Sequence, residues 1–192
     1  MQFSSYLKQN EIDANPLINF RGNRYNALFA NGGRIYQLYE HIINFLRKVW
    51  GTPNRLLQAV LDDAEHDLYI AGCKALGLID KHITGPLWRV LESDVHILDV
   101  PNYYRDLLTF LKTEDISGFM TGETVPFSAV RIKKDDLWVA LTLSSPLDPL
   151  VEQILVACFK SIELLWSEFW KTFTLQKKQN DHKHFQSKKQ TQ

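Results

Sequence analysis

The stretch 20-FRGNRYNALFANGGRIYQLYEHI-42 decides how this chain is read. It carries three arginines, several aromatics and the run Asn31-Gly32-Gly33. A phosphate-binding loop would need a buried strand before the glycines and a Lys-Ser or Lys-Thr pair after them. Neither is present: Tyr25 to Ala30 has helical spacing, and the glycine pair runs into Arg34 and Ile35. The glycines therefore predict a bend between a short helix and a long one. In the long one Ile35, Leu38, Tyr39, Ile42, Phe45, Leu46 and Val49 recur at steps of three and four, the period of an amphipathic helix.

Helical periodicity continues outward from this stretch. Gly51 ends the long helix, and Thr52 with Pro53 is expected to start the next as a cap and first-turn proline. A third helix covers 66–83; its Gly72 and Gly77 suggest close helix contacts or a break. Thr84 and Pro86 look like a fresh helix start, as does Pro101. The stretch 114–134 reads as a long loop with one short strand at 129–132, followed by a helix capped by Asp135. The last helix starts at Asp148-Pro149 and extends to Phe173. These elements predict an all-α fold, an irregular bundle of six to eight helices. The expected division is an N-terminal extension at 1–19, a helical domain at 20–175 and a disordered, lysine-rich tail at 176–192.

Composition narrows the function. The 192 residues include 22 basic and 22 acidic side chains, so no global positive field draws in phosphates. Cys73 and Cys158 lie in apolar helical runs and read as small buried hydrophobes. The N-terminal residues lack a signal-peptide pattern. The most apolar run, 147–173, is broken by Glu152, Lys160, Glu163, Glu168 and Lys171, which argues against a membrane span. A soluble, intracellular protein is expected.

No residue is assigned a catalytic, cofactor-binding or metal-binding role, and no cofactor is expected. The chain has no G-x-S-x-G motif, and no nucleophile, base and oxyanion site are specified together. The run 62-DDAEHD-67 pairs Asp62 with His66 and Asp63 with Asp67 at helical spacing. Two such groups fall short of a zinc ligand set, so a solvated helix end is the better reading. The candidate nucleic-acid contacts are Arg21, Arg24, Arg34, Arg47 and Lys48, where arginines stand beside aromatics. The candidate association face is the apolar stripe Val151, Leu155, Cys158, Ile162, Trp166, Phe169 and Phe173. Self-association or a protein partner is the expected mode of action, with nucleic-acid binding as the alternative.

Two segments carry a likeness. Arg21 to Phe29, RGNRYNALF, and Cys73 to Glu92, CKALGLIDKHITGPLWRVLE, resemble segments of transposon-derived proteins of vertebrate genomes, in particular a helical region of hAT-like transposase relatives. The likeness covers roughly Phe20 to Phe127. Transposases of this type resemble a ribonuclease-H-like fold with a helical insertion, a zinc-binding finger and three metal-holding acids. This chain shows no Cys-x-x-Cys finger, and no acidic triad maps onto it. The resemblance implies a fragment or truncated derivative that keeps a helical part without the chemistry.

Overall fold

The structure, a computed structural model, describes residues 2–12, 17, 24–49, 54–94, 96 and 99–166, with the side chains of 24–26 and 49 outside the description. These residues contain no strand, so the chain is all-α and the short strand expected at 129–132 does not form. The helices are α1 (Phe3–Gln9), α2 (Arg24–Asn44), α3 (Arg55–Ala64), α4 (Asp67–Ile79), α5 (Gly85–Glu92), α6 (Val100–Leu111), α7 (Ile116–Thr121) and α8 (Asp136–Thr142). A last helix occupies 148–166. Two compact units divide the chain, Met1–Val156 and Ala157–Gln192. The expected boundaries at 19/20 and 175/176 fall outside the described residues, as does the tail.

The centre of the first unit is the pairing of α2 with α4. Here the opening stretch takes its real form. Asn31, Gly32 and Gly33 do not bend the chain; they lie inside one continuous 21-residue helix. Glycine at these positions lets two backbones approach more closely than side chains permit. A Cβ on Gly77 would lie 2.5 Å from the Cα of Gly33, and one on Gly32 would lie 2.7 Å from the Cβ of Leu76. Both are inside van der Waals contact, so the loss of helix propensity at the glycines is offset by the close packing they allow. Gly77 thus makes the helix contact that the sequence suggested, while Gly72 faces open space.

The far end of α2 passes into a π-helical turn, Phe45–Val49. Phe45 and Leu46 are buried there with Leu61 of α3, and Phe3, Tyr6, Ile42, Ile43 and Leu57 pack around them. Phe3 and Tyr6 of α1 place their rings 5.2 and 5.3 Å from that of Phe45, tilted as aromatic pairs prefer. The first residues are therefore part of the core: Leu7 has no exposed surface. Helix α3 is capped by Asn54, whose side chain accepts from the Leu57 N–H at 3.0 Å. The expected cap, Thr52, lies outside the described residues.

Thr84 and Pro86 do not begin a new helix. Thr84 has helical backbone angles and makes no capping bond. Instead α4, a π turn at Asp80–Thr84 and α5 form one rod from 67 to 92. A proline in an ordinary helix clashes with the carbonyl four residues before it. The wider π turn just before Pro86 relieves that clash, which is why the helix survives. Counting this rod once, the described residues form eight helical rods.

Within the segment 114–134, residues 116–121 are helical and 114–115 and 122–134 are not. Its first part forms α7, capped by Asp115, which accepts from the Gly118 N–H at 2.9 Å. The helix ends at Gly122, whose φ of 73° is the left-handed conformation that glycine adopts without strain. Asp135 caps α8 as expected, accepting from the Trp138 N–H at 3.0 Å.

Candidate functional site: buried polar braces and an exposed apolar face

Lysine rarely lies in a core, because removing an ammonium from water is costly without close partners. Lys74 nevertheless has only 1% of its surface exposed. It sits on α4, in the register that carries Ile70, Ala71 and Leu78 inward. Its Nζ donates to the Asp148 carboxylate at 2.6 Å, the Leu143 carbonyl at 2.9 Å and the Ser145 hydroxyl at 3.3 Å. The ammonium also lies 5.4 Å from the centre of the Tyr36 ring. Three N–H donors meet three acceptors, so no valence is left for a ligand. Asp148 is tied further: it accepts from the Ser145 N–H at 2.9 Å and from the Ser144 hydroxyl at 3.2 Å. Burial alone would raise the Asp148 carboxyl, but Lys74 and Ser145 outweigh it and hold the group below the usual carboxylate range. Asp148 thus closes the loop before the last helix and pins it to α4. No sequence pattern singled out Lys74; a lone lysine within an apolar helical run was the available signal.

A second brace joins α4, its π turn, α7 and α8. His82 is fully buried, its ring edge-on to that of Phe119 with centroids 4.9 Å apart. Its Nε2 accepts from the Trp138 indole N–H at 3.2 Å, which places the ring proton on Nδ1. Nδ1 has no partner in good hydrogen-bond geometry. Burial pushes the His82 pKa down to about 4; the Phe119 backbone opposes this and Lys81 adds to it. Lys81 itself donates to both oxygens of Asp135, at 2.8 and 2.9 Å. Burial would raise Asp135, yet Lys81 and the Trp138 N–H together hold it low.

Three of the five basic residues chosen from sequence, Arg34, Arg47 and Lys48, have described side chains. Arg34 donates to the Gln37 side chain at 3.0 Å and lies in the field of Asp80 and Asp135. Arg47 pairs with Glu65 at 2.6 Å, and Lys48 is exposed beside it. Arg21 and the Arg24 side chain lie outside the described residues. Arg34 and Arg47 line separate clefts. The acidic run 62–67 is a helix junction: Asp62 accepts from Gln58 at 2.8 Å, His66 stands before α4, and Asp67 occupies the first turn of α4. An acid there is favoured by the helix dipole. Among the described residues no group of three His, Cys, Asp or Glu side chains could hold a metal ion.

The apolar stripe of the last helix also divides. Val151 and Leu155 have no exposed surface and belong to the chain's own core. They are therefore not on an association face: α-helical periodicity alone cannot distinguish a face packed within the chain from one left for a partner. Cys158, Ile162 and Trp166 are half-buried, and Phe169 and Phe173 lie outside the described residues. Among the described residues of this helix, the exposed large apolar side chains are instead Leu164 and Leu165, at 66% and 73% exposure. Cys73 and Cys158 are both half-buried free thiols whose pKa values are raised by burial, which disfavours the reactive thiolate.

These features define an all-α protein braced by buried polar contacts. No helix among the described residues is long and apolar enough to cross a membrane. Comparison with protein-family models, with curated proteins and with solved structures returns no match.

Proposed function

We propose that this chain is a non-enzymatic helical protein of transposon-derived origin that acts by associating with a second copy of itself. The observation that carries this reading is the pair Leu164 and Leu165, exposed on a helix whose earlier apolar positions, Val151 and Leu155, are buried. Exposed leucines on consecutive residues gain from burial against another apolar surface, by about 1.5–3 kcal/mol for each side chain fully covered. The formal charge of zero leaves no net repulsion between copies. The buried Lys74 and His82 and the half-buried Lys81 and Asp135 are engaged in braces within the fold, which supports a structural role for them. The origin rests on the resemblance at Arg21 to Phe29 and Cys73 to Glu92. The second segment supplies Lys74, Gly77, His82 and Pro86, all with packing roles.

Sedimentation velocity over a wide concentration range tests the association. A species heavier than the 22.3 kDa monomer is expected at high concentration. Replacing Leu164 and Leu165 together by lysine should return it to monomer with an unchanged circular dichroism spectrum. A wild-type chain that stays monomeric throughout, or a variant that associates equally well, overturns the proposal.

A further inference from the structure

The cleft beside the loop 122–134 differs in charge from its surroundings. It encloses about 800 Å³ and is walled by Val125, Phe127 and Trp138 on the apolar side, with Arg131, Lys133 and Lys134 supplying three cations. None of the residues lining it is acidic. Glu123, next to Gly122, does not line it, and the carboxylates that follow Lys134 line a different cleft. Asp135 is held by Lys81 and the Trp138 N–H. Asp135 and Asp136 line the neighbouring cleft with Arg34, which Lys133 also borders. Arg131, Lys133 and Lys134 have exposed side chains, and no carboxylate of the described residues pairs with them. Lys134 instead lies 4.7 Å from the centre of the Trp138 ring, a cation held at an aromatic face.

The position of this ring is built into the fold. Trp138 follows the Asp135 cap by three residues, and its indole N–H is anchored on the buried His82. Gly122 packs against one side of the indole, where a Cβ would come within 2.8 Å of its Cζ2. The ring is thus fixed at the cleft wall, half-buried, with Lys134 against it. A cleft of this size with an apolar wall and a few polar groups suits one small ligand. Cations without a carboxylate partner favour phosphate, and an indole beside apolar residues favours a planar ring.

We propose that this cleft binds a nucleotide unit, with the phosphates on Arg131, Lys133 and Lys134 and the base against Trp138. The same chemistry is offered by a free mononucleotide and by one unit of a single strand. Titrations with adenosine triphosphate and with a short single-stranded oligothymidylate, at low and at moderate salt, distinguish the two sources. Quenching of indole fluorescence reads both. Trp138→Phe assigns the signal, since the chain has five tryptophans. The expected result is saturable, salt-sensitive binding of at least one probe, weakened about tenfold by Arg131→Gln or Lys133→Gln. The salt slope should fall by about one for each cation removed. Both substitutions are on exposed side chains, so the fold should survive them, and circular dichroism checks this. Tighter binding of the triphosphate assigns the site to free nucleotides, and tighter binding of the oligonucleotide to single strands. Absence of binding by either probe at low salt, equal binding by the variants, or equal binding of inorganic triphosphate overturns the proposal.

Discussion

Lys74 and His82 are polar side chains carried into a core, and each sets a measurable property. Breaking a buried ion pair from one side leaves an uncompensated charge, so Asp148→Asn should lose about 3 kcal/mol of stability. Lys74→Met added to Asp148→Asn should recover part of that loss, because the stranded ammonium is gone. Urea unfolding of the three chains checks the order, and equal stability of single and double variants would contradict the pairing. His82 governs the response to acid. Its folded pKa of about 4 lies below the unfolded value of 6.5, so the unfolded chain takes up a proton first as pH falls. Stability is then full above about pH 6.5 and declines between 6.5 and 4, by about 3 kcal/mol in total. Asp80 works in the opposite direction: burial raises its pKa, so the folded chain gains stability as pH drops through that value. Asp115, Asp135 and Asp148 are held low, and what they contribute is lost only below the ordinary carboxylate pKa of 3.8. Urea midpoints from pH 7 to 4.5 should fall for the native chain and stay level or rise for His82→Asn. A variant with the native slope would remove His82 from the account.

At the scale of elements, the helices follow local rules and the contacts between them do not. The caps at Asp115 and Asp135 are short-range devices, each bonding an N–H three residues on. Asp135 was legible for that reason. The run Asn31-Gly32-Gly33 was not, because a glycine pair looks the same whether it bends a helix or lets another helix approach. The two π turns were equally hidden: the pattern at Thr84 and Pro86 matches a helix start, and only the widened turn tells otherwise. The glycine contact gives a direct test. Alanine normally stabilises a helix interior by about 1 kcal/mol over glycine. Gly77→Ala should instead destabilise by about 1–3 kcal/mol, because its Cβ meets the backbone of α2. Gly72→Ala, facing open space, should stabilise. Thermal unfolding of both variants decides the matter, and a stabilised Gly77→Ala would refute the close approach.

At the scale of the molecule, the association proposal sets an expectation for solution behaviour. The proposed contacts through Leu164 and Leu165 are apolar, so the assembly should persist at high salt, unlike the nucleotide binding proposed at the 122–138 cleft. Scattering in low and high salt separates the two, and an assembly dispersed by salt would count against an apolar contact. The sequence by itself determined that the chain is all-α, because period and caps are written within a few residues of each other. It also placed Val151 and Leu155 on one stripe with Ile162. Only the tertiary structure decided which part of that stripe is core, why the glycines of α2 are there and how Lys74 is neutralised by Asp148, 74 residues away. The reason is physical: a helix records its own periodicity in its sequence, whereas a buried charge or a close backbone contact is defined by a partner distant in the chain.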